Sequence, residues 1–332
     1  MAQYFANAPD TLVDDALAGF ARAHAGLVVH DTGQAFVRAR HGSPTRRVGL
    51  LSGGGSGHEP LHIGFVGAGM LDAACPGRVF ASPHNRQIFE ASRAVARQEG
   101  VLHIVKNYTG DRINFGIAAE RLAHAGIACR RVLVDDDTAS DSDDIAAGRR
   151  GTAATVLVEK VLGAAADTGR GLDDLAELGA SLASRCRTVA VASAAQTVPT
   201  TGRPAFALDP GLVEFGVGIH GERADRSLRQ EPLGALVERM AAALLDALRP
   251  PPGTPLIALV NGLGAVTLLE LYAAYNELAR VLEGSGLTVA RSRVGNLVTA
   301  LDMRGFSLSL LLADEETLAL FDAPVQTPVW QW

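Results

Sequence analysis

Three short polar segments hold most of the side chains able to do chemistry in this chain: SGGGSGHE at 52–59, KNYTGD at 106–111 and GIHGE at 218–222. Each follows an apolar, β-prone run, and in open α/β sheets ligands bind beyond the carboxyl ends of the strands. His220, with Gly218 and Gly221 on either side, has an imidazole open to approach. A neutral imidazole can add to a ketone carbon if a neighbour handles the proton on the carbonyl oxygen, and a histidine such as His58 titrates in the right range. A metal ligand or an ordinary hydrogen-bonded histidine fits the same pattern, so three readings of His220 stand open.

Asp111 has two compatible readings. It directly precedes the helical stretch RINFGIAAERLAHA and is of the type that caps a helix. At a cleft it is also a carboxylate base that could take a hydroxyl proton during phosphoryl transfer, with Lys106 orienting it or the ligand. The three consecutive glycines after Ser52 either present backbone N–H groups to a ligand or make a tight strand-to-helix turn. No GK[ST] follows and His58 stands where a phosphate-gripping lysine would, so this is not a Walker loop. Asp135, Asp136 and Asp137, with Asp141, Asp143 and Asp144 beyond, lack the spacing and glycine of an EF-hand; a solvated loop is expected, and no metal site.

The elements that must position these residues alternate in period, which predicts an α/β protein with mixed sheets flanked by helices. RRVGLL reads as a buried strand entering the glycine loop, followed by a weak helical segment. A helix over 85–98, with Ile88, Ser92 and Val95 on one face, leads to the strand VLHIV and the KNYTGD loop. Gly126 ends the next helix, IACRRVLV is a strand, and two helices run to about Cys186. There we place the boundary between an N-terminal α/β domain, 1–186, and a C-terminal one, 187–332, that carries His220. The second half opens with the strand TVAVAS. Phe215, Val217 and Ile219 alternate as in a strand, Leu233 to Leu248 mark an amphipathic helix, and LIALVN and FSLSLLLA are further buried strands.

Composition narrows the partners. At 332 residues and 48% hydrophobic the chain can bury two moderate cores, and a net charge of −6 without a basic, aromatic-interleaved patch argues against nucleic acid. Three scattered cysteines form neither a disulfide framework nor a zinc motif, which points to a reducing cytoplasm. The start MAQYFANAPD has no signal-peptide pattern and no later run is long enough to span a bilayer, so no membrane partner is expected.

Taken together and in this order, SGGGSGHEP, GFVGAGML, CPGRVFASP, VKNYTGDRINF, EFGVGIHGE, ALVNGLGA, TALDMRGFSLSLL and DAPVQTP resemble the substrate-binding subunit of dihydroxyacetone kinase over nearly the full length. The resemblance implies that His220 forms a covalent hemiaminal with the ketone carbon of dihydroxyacetone, that Asp111 is the base at the hydroxyl, and that His58 assists hemiaminal formation. It implies further that Gly55, Ser82 and Lys106 line the substrate site. It also implies a homodimer of two α/β domains that holds no cofactor itself and takes the phosphoryl group from magnesium-nucleotide on a separate nucleotide-binding subunit. Because the chain reaches only Trp332, just after DAPVQTPVW, no nucleotide domain and no kinase activity of the isolated protein are expected.

Three places depart from the usual pattern. His84, Asn85 and Arg86 follow ASP where small residues, proline and acid are commoner; Arg223 and Ala224 follow HGE in place of Pro and Gly; and Gly262 replaces asparagine. The first two flank ligand-facing loops and leave room for a longer ketose such as erythrulose. From a different class, a non-catalytic ketose sensor serving a transcription regulator would keep the anchor; it has no need of Asp111.

Overall fold

The computed structural model describes residues 4–140, 148–223 and 227–332; Asp141, Asp143, Asp144 and Ala224 lie outside the described residues. The chain divides into two compact units, one of Phe5–Val134, Thr155–Ala183 and Ala319–Trp332, the other of Met1–Tyr4, Asp135–Ala154 and Ser184–Leu318. One crossing lies at Ala183/Ser184. The others make each unit from separate stretches of chain.

The first unit is built on a six-stranded sheet. After α1 (Leu12–Ala23) come β1 (Val28–Asp31), β2 (Phe36–Ala39), β3 (Gly49–Ser56), β4 (Ala73–Val79), α2 (Asn85–Val95), β5 (Val101–Lys106), α3 (Thr109–His124) and β6 (Cys129–Val134). The spatial order is β1-β2-β4-β3-β5-β6, with β3 to β6 parallel and the first two strands antiparallel at one edge. Parallel strands joined by helices are covered on both faces, which is why β5 reads as a continuous buried run. Helix α2 buries Ile88, Ala91, Ser92 and Val95, one 3.6-period stripe, and stops three residues before the expected end. Helices α4 (Ala154–Asp167) and α5 (Leu172–Ser184) follow.

The glycine-rich segment departs from expectation. It is not a loop: β3 continues through Gly53, Gly54 and Gly55 to Ser56, because its neighbours come too close for any side chain. A Cβ on Gly53 would lie 2.6 Å from the Cys75 carbonyl oxygen, and one on Gly55 would lie 2.7 Å from the Phe80 Cα. Only Gly57, at φ 100°, needs glycine for its conformation. In place of the weak helix there is one short 3₁₀ turn, Ile63–Phe65.

The second unit holds β7 (Cys186–Ala194), the two-residue pair β8 (Thr197–Val198) and β9 (Arg203–Pro204), β10 (Leu212–Phe215), β11 (Ser227–Arg229), α6 (Leu233–Leu248), β12 (Pro255–Gly262), α7 (Leu268–Gly284), β13 (Thr288–Gly295) and β14 (Arg304–Leu312). Its main sheet runs β11-β10-β7-β14-β12-β13, antiparallel except for β12 beside β13. Leu236, Val237, Met240 and Leu244 of α6 and Leu271 and Leu278 of α7 pack with Val189, Leu256, Val260 and Leu308 of the sheet. Each such aliphatic, fully buried, contributes about 1.5–3 kcal/mol. Helix α7 opens with a reciprocal Thr267/Glu270 capping box. A last helix, α8 (Glu315–Asp322), precedes the C-terminal segment. Among the described residues no helix is long and apolar enough to cross a membrane.

The strand read through Ile219 ends at Phe215, since Gly216 takes φ 88° and turns the chain out of the ladder; Val217 and Ile219 are still buried. At Gly262 a Cβ would collide with the Asn296 Oδ1, so the glycine there fits a neighbour that leaves no space for a side chain.

Candidate active site

His220 sits at a tight turn just past β10. The Gly221 N–H donates to the Gly218 carbonyl at 3.1 Å and the Gly218 N–H to the Glu222 carbonyl at 2.8 Å, so the chain doubles back and brings Glu222 beside the histidine. Gly221 takes φ 85° at this turn. The Glu222 carboxylate then grips the same residue twice: Oε2 accepts the His220 backbone N–H at 2.9 Å and Oε1 lies 3.0 Å from Nδ1. A carboxylate can only accept, so Nδ1 carries the proton and Nε2 holds the lone pair. The imidazole side chain is 22% exposed, so the ring is partly open to solvent while its tautomer is set.

Behind Glu222 stands Arg150. Its guanidinium bonds Asp137 through Nε at 2.7 Å, donates to the Gly216 carbonyl at 3.0 Å, and has Nη1 4.0 Å from Glu222 Oε2. Burial raises the Glu222 carboxyl, but the hydrogen bond and charge of His220 and the charge of Arg150 bring it down to about 2. Glu222 is therefore a fixed anion next to the ring.

The described aspartates of the acidic cluster belong to this framework, contrary to the solvated loop expected of them. Asp136 is fully buried and accepts from the Thr152 N–H and hydroxyl and the Ala154 N–H, at 2.6, 2.8 and 3.0 Å. Asp135 pairs with Arg149 at 3.0 Å. The arginines that pair with Asp135 and Asp137 stand 14 and 13 residues further on, too far for a local pattern to link them, and among the described residues no group of acids, cysteines and histidines could hold a metal ion.

The first unit carries a second constellation, at the ends of β3 and β5. Lys106, last residue of β5, and Asp111 are both buried, with Nζ 4.0 Å from Asp111 Oδ2. Asp111 is not the helix cap: α3 starts at Thr109 behind Tyr108, so the carboxylate lies in the first turn, where the helix dipole favours an anion. Its Oδ1 is buried and has no hydrogen-bond partner among the described residues. A buried acceptor left open costs about 1–3 kcal/mol, and a hydroxyl donated to it would recover that. Ser82 lies against this turn, since a Cβ on Gly110 would be 3.3 Å from the Ser82 Cβ. His58 is fully buried and stacks on Phe80 with ring centroids 4.9 Å apart. Gly55 lies in β3, its backbone against Phe80 and Ala81.

Two side chains that sequence reasoning passed over complete this cluster. His62 Nε2 is 2.9 Å from Lys106 Nζ, and His62 Nδ1 is 2.6 Å from Glu159 Oε1 in α4. His62 stood in plain view in HEPLH, but Glu159 lies 97 residues further on and nothing local signals the pairing. Burial lowers the His62 and Lys106 pKa values, and burial raises Glu159 to about 8 against the pull of the Lys106 charge.

The departures find local roles. His84 caps α2, its Nδ1 accepting the Arg86 N–H at 3.1 Å, and the Asn85 side chain accepts from Arg121 at 3.2 Å. Arg223 reaches back to the buried Glu214 of β10 at 3.1 Å, tying down the segment after His220.

A Dak1 domain model matches residues 18–329. The chain belongs to the Dak1 family. It is 44% identical to the PEP-dependent dihydroxyacetone kinase, dihydroxyacetone-binding subunit DhaK, of Escherichia coli (strain K12), over 97% of both chains. It is 40% identical to the PTS-dependent counterpart of Listeria innocua serovar 6a over 98% of both. Among solved structures, the Dak1 fold superposes with a TM-score of 0.90 on the dihydroxyacetone kinase operon co-activator Dha-DhaQ, at 33% identity over 96% of this chain and 98% of that one. The dihydroxyacetone kinase of C. freundii also matches with a TM-score of 0.90, at 35% identity; there this chain is covered fully and accounts for 60% of the larger protein. The expected α/β architecture is that of these structures.

Proposed function

We propose that this chain is the substrate-binding subunit of a dihydroxyacetone kinase. It holds dihydroxyacetone or a similar short ketose as a hemiaminal on His220, and a separate nucleotide-carrying subunit phosphorylates the terminal hydroxyl to give the ketose phosphate. The observation that carries the reading is the Glu222 grip on His220, which leaves Nε2 as the nucleophilic nitrogen.

In the anchoring step the Nε2 lone pair forms a bond to the ketone carbon, the carbonyl π bond breaks, and its oxygen takes up a proton. His58 assists that proton transfer. The imidazole keeps its Nδ1 proton and gains a positive charge, which the Glu222 anion beside it neutralises, so the proton taken up by the oxygen is the only one the step consumes. A polyol has no carbonyl carbon for this addition, so glycerol is rejected. In the transfer step Asp111 takes the proton of the terminal hydroxyl as that oxygen attacks phosphorus, and Gly55, Ser82 and Lys106 complete the substrate's surroundings. The reading includes a homodimer in the cytoplasm and no phosphorylation by the isolated chain.

Intact-protein mass spectrometry with a panel of short ketoses tests the anchor. A ketose-dependent mass increase on the wild type that is absent from His220→Ala is expected; an equal increase on both removes His220 from the chemistry. Mixing the chain with ketose, ATP and magnesium alone should give no phosphorylated product. The likeness to an operon co-activator supports a second reading, a ketose sensor. Reconstituted turnover with the organism's nucleotide-binding subunit decides for the kinase; binding to a transcription regulator without turnover decides for the sensor.

A further inference from the structure

Of the cluster of Ser52, His62, Lys106 and Glu159 only Lys106 enters the mechanism so far, yet all four are buried in the first unit. Lysine and glutamate are almost never fully buried unless paired, and an apolar set of the same volume would be at least as stable. Its hydrogen bonds run in one direction. The Ser52 hydroxyl donates its one proton to the Ile104 carbonyl at 2.7 Å and so presents only lone pairs to His62 Nδ1, 3.0 Å away. Nδ1 must then be the protonated nitrogen, and it donates to Glu159 Oε1 at 2.6 Å. Nε2 is left as an acceptor, and Lys106 Nζ, a donor at 2.9 Å, fills it. Glycine at 54 is what admits the ammonium here: a Cβ would collide with Lys106 Nζ and lie 3.4 Å from His62 Nε2.

We propose that His62 and Glu159 are positioning residues, which fix Lys106 beside the Asp111 carboxylate and so govern the transfer of the hydroxyl proton without touching the substrate. This rests on the kinase reading above. If Glu159 loses its acceptor oxygen, the ring has no strong reason to keep its proton on Nδ1. The other tautomer turns an N–H toward the lysine, two donors face one another, and Lys106 is pushed off its place at Asp111. Anchoring on His220 does not involve these residues and should persist.

The test uses Glu159→Leu, which keeps the volume and removes the acceptor, and Glu159→Gln, which keeps an acceptor oxygen. Both are assayed in the complex reconstituted with the nucleotide-binding subunit. Glu159→Leu is expected to lower kcat at least tenfold while KM and the ketose adduct on His220 stay within about twofold, and Glu159→Gln is expected to recover most of kcat. A kcat for Glu159→Leu within twofold of wild type overturns the inference and leaves the kinase reading intact. Equal losses of adduct and kcat overturn it too, since the effect would then spread over the whole site. If the wild type itself neither forms an adduct nor turns over, the kinase reading falls; ¹⁵N-histidine NMR of the wild type, which also serves if Glu159→Leu does not fold, then judges the geometry. His62 should appear as a neutral ring protonated at Nδ1, and an Nε2–H or doubly protonated ring at neutral pH refutes it.

Discussion

Replacing Glu222 by glutamine is the sharpest perturbation of the proposed anchor. The side chain keeps its length, but one oxygen becomes an NH₂ group, and both oxygens are in use: one takes the His220 backbone N–H at 2.9 Å, the other faces Nδ1 at 3.0 Å. If the NH₂ faces the backbone, two donors oppose each other. If it faces Nδ1, that nitrogen must become the acceptor, and the proton moves to Nε2, the atom that has to attack. A hydrogen bond to a charged group contributes about 1.5–3 kcal/mol. Glu222 is 34% exposed, so water screens part of this and the lower end, about 1.5 kcal/mol, applies. That is roughly tenfold in the dissociation constant of the ketose, read by adduct occupancy against ketose concentration. The rate of adduct formation should fall further, because the ring's developing positive charge loses the anion beside it. A variant that binds and reacts within twofold of wild type would show that the carboxylate does not set the tautomer, and the anchoring argument would fail with it.

Other consequences follow from the same geometry. Gly54→Ala drives a methyl into the Lys106 ammonium and should cost about 1–3 kcal/mol of stability, seen in denaturant melts, together with most of the transfer rate. Asp111→Asn should abolish turnover in the reconstituted complex while leaving the ketose adduct on His220 in place. The Glu222 carboxyl is depressed in the folded chain to about 2, so its contribution to stability is fully present above its ordinary value near 4.5 and is lost as the pH falls toward 2. Glu222→Gln should lack that component of acid destabilisation, and added salt should shrink it in the wild type.

Much of the architecture was legible because it is local. The stripe of Ile88, Ser92 and Val95 defined α2, the run VLHIV defined β5, and Leu233 to Leu248 defined α6. The failures share one cause: tertiary contact overrode a local rule. Three glycines in a row read as a loop, yet close approach of the Cys75 and Phe80 backbones keeps them in β3. Asp111 read as a cap, yet the helix begins at Thr109. The aspartates at 135–137 read as solvated because Arg149 and Arg150 are distant in sequence; Arg150 holds the buried Asp137, while Arg149 pairs with a half-buried Asp135.

The same distinction explains which parts of the site a sequence can reveal. Glu222 is two residues from His220, held there by a turn that Gly218 and Gly221 permit, so the proposed anchor and its orienting anion form one short motif. Lys106 depends instead on a histidine 44 residues before it and, through that ring, on a glutamate in another helix. A group that reacts by a lone pair needs only its tautomer fixed, which a local turn can do. A cation held beside a buried carboxylate must be kept there against its own hydration, and that takes donors and acceptors converging from several elements at once. The proposed anchor is therefore written locally, while the arrangement proposed to serve proton transfer exists only once β3, β5, α3 and α4 have packed.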